Sequence, residues 1–118
     1  MKTVMIVDDA AVMRMRLKEI LEPRYKVVAE AVDGEQALEQ FLEHRPDIVT
    51  LDITMPNVDG LQALSMILTA DPRACVVIVS AVGQKQVVFE ALGKGAKDFI
   101  VKPFERERVM MAVDRLFT

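Results

Sequence analysis

Ile48-Val49-Thr50-Leu51-Asp52-Ile53-Thr54-Met55-Pro56-Asn57-Val58-Asp59-Gly60 is the run around which this chain is organised. A β-branched, apolar segment leads to one carboxylate, Asp52, and the chain then meets Pro56 and Gly60, both punctuators of regular structure. A strand over Asp47–Leu51 follows, because a short apolar run bounded by turn residues is how a buried strand reads. Asp52 then stands at the carboxyl end of that strand, where open α/β sheets keep their ligand crevices. Taken alone it reads equally as a turn residue. Its weight depends on what else reaches the same edge.

On either side, strand and helix patterns alternate. Thr3–Val7 is apolar almost throughout, as in a strand covered on both faces. Ala11–Glu22 carries Val12, Leu17, Ile20 and Leu21 among Arg14, Arg16, Lys18 and Glu19, an amphipathic helix stopped by Pro23. Tyr25–Ala29 reads as a second strand. Asp33-Gly34 opens a helix over Glu35–Glu43 with Ala37, Leu38, Phe41 and Leu42 on one face, ended by His44-Arg45-Pro46. Leu61–Thr69 is a helix stopped by Asp71-Pro72. Val76–Ser80 is a fourth strand, and Gln84–Leu92 a helix closed by Gly93 and Gly95. Asp98–Val101 is the fifth strand, and Glu105–Phe117 the last helix with Val109, Met110, Val113 and Leu116 inward. Such alternation predicts a parallel sheet with right-handed crossovers, a five-stranded doubly wound α/β domain spanning residues 1–118 without linker or repeat.

Composition narrows the function classes. Hydrophobic residues are 52% and charged residues 28% of 118, which excludes a disordered segment. No apolar run approaches a membrane span, and Met1-Lys2-Thr3-Val4 enters the first strand with no cleavage-site pattern. The single cysteine, Cys75, excludes a disulfide framework and fits a reducing, cytoplasmic setting. A formal net charge of −3 with dispersed basic residues gives nucleic-acid binding no electrostatic support. Eight methionines beside one tyrosine and no tryptophan predict a pliable core, with Met13, Met15, Met110 and Met111 packing on helical faces. Cys75 reads as a small core or boundary residue, and His44 as a surface or capping residue at a helix end.

The strand ends deliver, in order, Asp8-Asp9, Asp52, Ser80 and Lys102-Pro103. In the flavodoxin-like strand order 2-1-3-4-5, taken over from folds of this kind, the first and third strands are neighbours at the switch point. Asp8, Asp9 and Asp52 would then adjoin. Three carboxylates together repel unless a cation joins them. A hard, oxygen-liganded Mg²⁺ answers this, and no Cys/His cluster argues for zinc. Asp, Mg²⁺ and Lys together suit phosphoryl transfer to a carboxylate nucleophile. Lys102 and the metal would neutralise the transferring oxygens. Ser80 and the backbone N–H beside it, next to the small Ala81, would donate to them. Each residue also has a plainer reading: Asp8-Asp9 as helix caps, Lys102 as a solvated lysine, Ser80 as a strand-end hydroxyl. Their joint arrival on one edge is what favours the site.

Ile6-Val7-Asp8-Asp9, Asp52-Ile53-Thr54-Met55-Pro56 with Asp59-Gly60, Ser80-Ala81, Gly95-Ala96-Lys97-Asp98-Phe99 and Lys102-Pro103-Phe104 together resemble, end to end, the receiver domain of bacterial two-component response regulators. The likeness is strongest to stand-alone chemotaxis receivers. It implies that Asp52 takes a phosphoryl group from a histidine kinase of the CheA kind. It also implies that Asp9, Asp52 and the Thr54 carbonyl bind Mg²⁺, with Asp8 acting through water. Lys102 would contact the phosphoryl group, and the bond to Pro103 would be cis. Ser80 would be the switch hydroxyl and Phe99 the switch aromatic, although many members carry Thr and chemotaxis members often Tyr there. Phosphorylation would draw Ser80 in, let Phe99 move, and remodel the face of helix four, strand five and helix five for a partner. The partner implied is a flagellar motor switch component, with a phosphatase as a further one. Thr54 and Val82 flank the site and would tune the lifetime of the phosphoryl group.

Two other classes compete. An aspartyl-nucleophile phosphohydrolase of the haloacid-dehalogenase kind needs a second Asp two residues after the nucleophile, where Thr54 stands here. A flavin- or nucleotide-binding module wants a phosphate loop after the first strand, where this chain places two aspartates. The chain is therefore read as a switch and not as an enzyme of substrate turnover. Within the receiver reading, the chain is either a free-standing chemotaxis switch or the receiver of a longer transcriptional or enzymatic regulator.

Overall fold

The computed structural model describes residues 1–55 and 59–117. Five strands and five helices alternate: β1 (Thr3–Val7), α1 (Ala11–Leu21), β2 (Lys26–Ala31), α2 (Gly34–His44), β3 (Ile48–Asp52), α3 (Gly60–Ala70), β4 (Cys75–Ala81), α4 (Lys85–Lys94), β5 (Asp98–Lys102) and α5 (Arg106–Asp114), followed by a 3-10 turn over Arg115–Phe117. The sheet runs β2-β1-β3-β4-β5, and every neighbouring pair is parallel. This is the doubly wound, flavodoxin-like order expected from the sequence.

Strand alternation sorts the core into two layers. Val4, Ile6, Ile48, Val77, Val79 and Ile100 face α1 and α5, against Leu17, Ile20, Leu21, Val109 and Val113. Met5, Val7, Val49, Leu51, Val76 and Ile78 face α2, α3 and α4, against Ala37, Phe41, Leu64, Ile67 and Val88. Successive side chains point to opposite faces of a strand, so strands covered on both sides must be apolar at every position. α2 and α3 are capped by Asp33 and Asp59, whose carboxylates accept from Gln36 N (2.8 Å) and Gln62 N (3.0 Å). Gln62 returns a bond to the Asp59 amide, completing a capping box.

The structure corrects several expectations. β2 begins at Lys26 and continues to Ala31, because its pairing partner β1 runs on to Val7, opposite Ala31. Tyr25 N instead closes a turn on Leu21 O at 2.8 Å. The last helix does not run to Phe117: its final turn tightens into 3-10 geometry at Arg115, whose N–H bonds back to Met111 and Val113. Val12 is 72% exposed, since about 100° per residue carries it to the side of α1 away from Leu17 and Leu21. Met15, Leu42 and Met111 are exposed as well, so these three do not serve the core. Among the described residues, no helix is long and apolar enough to cross a membrane.

Candidate functional site

Register builds the site. Val7 pairs with Leu51, so the residues that follow them, Asp8 and Asp52, emerge side by side where the strand order reverses. Lys102 ends β5, opposite Ala81 of β4, and must reach across that strand, roughly 9.5 Å of sheet, to meet them. It does so: Lys102 Nζ lies 3.4 Å from Asp52 Oδ2 and 3.1 Å from Asp8 Oδ2. The first contact is a hydrogen bond. The second is an ion pair, and among the described residues no other donor reaches buried Asp8 Oδ2.

The other carboxylate oxygens are held by backbone. Asp8 Oδ1 accepts from Ala10 N at 2.8 Å, and Asp52 Oδ1 from Thr54 N at 3.0 Å. Arg14 ties the β1–α1 turn down, its guanidinium donating to Asp8 O (2.7 Å) and to Glu30 of β2 (3.1 Å). Asp8 and Asp52 are buried, and Asp9 is exposed. Burial raises the Asp52 carboxyl above its ordinary pKa. The Thr54 amide opposes that, the neighbouring Asp8 adds to it, and Lys102 opposes it again. Burial alone would lower Lys102, but the two carboxylates outweigh it and hold the ammonium form.

One oxygen from each of Asp8, Asp9 and Asp52 lies within 4.8 Å of the others. Three hard oxygen donors, one belonging to a buried carboxylate whose Oδ2 meets no donor but Lys102 among the described residues, fit a hard divalent cation such as Mg²⁺. The set offers nothing soft for zinc or copper.

Ser80 is buried near the end of β4, paired with Val101. With Ala81, Val82, Gln84, Val88, Phe89, Phe99 and Val101 it lines a largely apolar groove of about 390 Å³. Phe99 is half-buried there. Its carbonyl accepts from Arg108 at 2.6 Å, and the same guanidinium sits 5.7 Å from the ring centroid. The Lys102–Pro103 peptide bond is cis. Pro56, read from sequence as shaping the loop after Asp52, lies outside the described residues.

Three contributors were not foreseen. Arg14 was read only as the polar side of α1. Arg108 carries no signature in sequence, because its role depends on reaching a backbone carbonyl on another element. In sequence Gln84 marks a helix start and part of the face of helix four, yet its side-chain oxygen accepts from Ala81 N at 2.6 Å while its nitrogen donates to Thr54 Oγ1. It straps the β4–α4 turn to the loop after Asp52.

A family model described as the response regulator receiver domain matches residues 4–114. The chain belongs to the response regulator receiver family. This receiver is 51% identical over 113 residues to the chemotaxis protein CheY of Bacillus subtilis, covering 95% of this chain and 94% of that one. It is 50% identical over 116 residues to the CheY of Thermotoga maritima, covering 98% and 97%. A chain of the CheX-CheY-BeF3-Mg+2 crystal complex from Borrelia burgdorferi superposes with a TM-score of 0.95 at 42% identity, covering 99% of this chain and 90% of that one. The chain is a phosphorylation-dependent switch of a two-component system.

Proposed function

We propose that Asp52 is the phosphoacceptor of this receiver. The supporting observation is the meeting of Asp8, Asp52 and Lys102 at the switch point, with the ammonium 3.1 and 3.4 Å from the two carboxylates. An oxygen of Asp52 forms the new bond to phosphorus while the bond from phosphorus to the donor atom breaks. The donor nitrogen of a phosphohistidine, or the oxygen of a small acyl phosphate, leaves with the electron pair. Hydrolysis reverses the state: water attacks phosphorus, inorganic phosphate leaves and the carboxylate returns.

Asp8, Asp9, Asp52 and the Thr54 carbonyl would hold Mg²⁺, which when bound supplies positive charge beside the transferring oxygens. Lys102 keeps its proton, held charged by the acids around it, and meets the same oxygens from the β5 side. Ser80 and the Ala81 N–H donate to the phosphoryl group. Phe99 answers on the groove face, two residues before Val101, which pairs with Ser80. The residues act on the chain's own phosphoryl group and turn over no separate substrate.

Chemotaxis is the setting that the CheY relatives support; within it we take a CheA-like histidine kinase as donor, a flagellar motor switch component as output and the cytoplasm as the compartment. Likeness to a chain found with CheX supports a phosphatase as a further partner. We take residues 1–118 to act as one receiver unit. The test is acetyl phosphate with Mg²⁺, followed by intact-mass and peptide analysis. The wild type gains one phosphoryl group on the peptide holding Asp52, and Asp52→Asn gains none. Labelling of Asp52→Asn at the wild-type rate would overturn the assignment.

A further inference from the structure

Gln84 stands at the N-cap of α4 and does not cap it. Asp33 and Asp59, at the same position of α2 and α3, turn their side chains onto their own helices. Gln84 turns away. Its carboxamide oxygen takes the Ala81 N–H at 2.6 Å, and its nitrogen reaches Thr54 Oγ1, 30 residues earlier in the chain. Thr54 is in turn bonded through its own N–H to Asp52 Oδ1 at 3.0 Å. A chain of hydrogen bonds thus links Asp52 through Thr54 and Gln84 to Ala81 at the end of β4. The turn that allows it passes through Gly83 at φ +92°, a left-handed conformation that favours glycine.

We propose that Gln84 is the latch of the unphosphorylated switch, a positioning residue that competes with the phosphoryl group for the Ala81 N–H. The inference rests on the reading of Asp52 as phosphoacceptor. An N–H pointed at one acceptor at 2.6 Å is not free for a second. A phosphoryl group on Asp52 therefore takes that donor only when the Gln84 oxygen leaves it. Mutually exclusive bonds to one donor are coupled: whatever favours the latch disfavours phosphorylation by the same factor. Release also frees the first turn of α4, because Gln84, Lys85, Val88 and Phe89 line one side of the groove that Phe99 and Val101 line on the other. The latch thereby links the acid site to the groove through one side chain.

The experiment uses the whole chain, acetyl phosphate and Mg²⁺, with Gln84→Ala, Gln84→Asn, Thr54→Val and the double variant Gln84→Ala/Thr54→Val. Losing one or two hydrogen bonds predicts phosphoryl uptake about three- to tenfold faster in each single variant. Both substitutions open the same latch, so the double variant is no faster than the faster single. Gln84→Asn separates latching from folding. The shorter amide can cap α4, so this variant is at least as stable as wild type and yet as fast as Gln84→Ala. In ¹⁵N–¹H spectra, beryllofluoride with Mg²⁺ moves both the Ala81 amide and the Gln84 side-chain resonances of the wild type. In Gln84→Ala the Ala81 amide is displaced before any addition. Uptake by Gln84→Ala at the wild-type rate, multiplying effects in the double variant, or Gln84 resonances indifferent to beryllofluoride would each overturn the latch. A wild type that takes no phosphoryl group overturns the Asp52 reading and the latch with it. A wild type that is labelled while Gln84→Ala shows no change overturns the latch alone.

Discussion

Lys102 Nζ lies 3.1 Å from Asp8 Oδ2, and among the described residues no other donor reaches that oxygen. The lysine thus supplies charge to that carboxylate while leaving a second lone pair of the oxygen open to a metal. The ammonium and a divalent cation would share the same acids and repel each other. A single and a double positive charge about 4 Å apart repel by roughly 2 kcal/mol even in water-like surroundings. Lys102→Ala is therefore expected to bind Mg²⁺ about thirtyfold more tightly, while taking up phosphoryl groups far more slowly. Calorimetric titration of both proteins with Mg²⁺ checks this, and equal or weaker binding by the variant contradicts it.

Asp52 gives the free domain a pH dependence of definite sign. Its pKa is raised in the fold, first by burial, so the folded chain binds more protons than the unfolded chain between the ordinary carboxylate value of 3.8 and the raised one. The stability this group contributes is present below the ordinary value and is lost as pH rises through the raised one. Asp47 and Asp98 are shifted the other way, so the readout is the difference between wild type and Asp52→Asn. In urea with chelator present, Asp52→Asn should be the more stable protein at neutral pH by about 1 kcal/mol, with the gap narrowing on acidification. Mg²⁺ should stabilise the wild type and close the gap from the other side. A gap independent of pH would mean that Asp52 is not the titrating group.

The layered fold and the acid edge were legible because they rest on local pattern. Apolar runs such as Thr3–Val7 and Val76–Ser80 need cover on both faces, and Asp8, Asp52 and Lys102 sit at or directly after strand ends. Val7 pairing with Leu51 then brings Asp8 and Asp52 together without help from any side chain. What sequence did not reveal depends on where long side chains reach. Arg14 to Asp8 O, Gln84 to Ala81 N and Arg108 to Phe99 O are side-chain bonds to backbone, chosen by rotamer after the elements are docked. The end of the last helix was misplaced for a similar reason, since the 3-10 tightening at Arg115 has no marker such as Gly or Pro.

Arg108 fixes the half-buried Phe99 in two ways, through its carbonyl at 2.6 Å and across its ring face, and also contacts Asp98 at 3.5 Å. Its other terminal nitrogen is buried without a hydrogen-bond partner among the described residues, so the bond to Phe99 O restrains it on one side. A hydrogen bond from a charged group to a carbonyl contributes about 1.5–3 kcal/mol. Arg108→Ala should lower unfolding stability by roughly 2 kcal/mol. Arg108→Lys should recover little, because an ammonium lacks the planar fork that serves carbonyl and ring together. Faster flipping of the Phe99 ring by NMR should accompany both. Wild-type stability in Arg108→Ala would show that the contact contributes nothing net.

Gly60 opens α3 immediately behind the acid site, and a side chain there has nowhere to go. A Cβ would lie 2.2 Å from Ile53 Cα and 2.6 Å from Asp52 O, both backbone atoms that cannot swing aside. Its φ is not the issue; the close approach of helix to strand end is. Gly60→Ala must push α3 away from β3 and is expected to cost about 3 kcal/mol, at the upper end of overpacking. It should also weaken Mg²⁺ binding, since the displaced backbone belongs to Asp52 itself. Gly93, inside α4 with open space around its Cβ position, is the control. Gly93→Ala should stabilise by about 0.5–1 kcal/mol through helix propensity and leave Mg²⁺ binding unchanged. Urea denaturation and Mg²⁺ titration of the two variants decide the matter, and a Gly60→Ala protein as stable as Gly93→Ala would refute the close-approach argument.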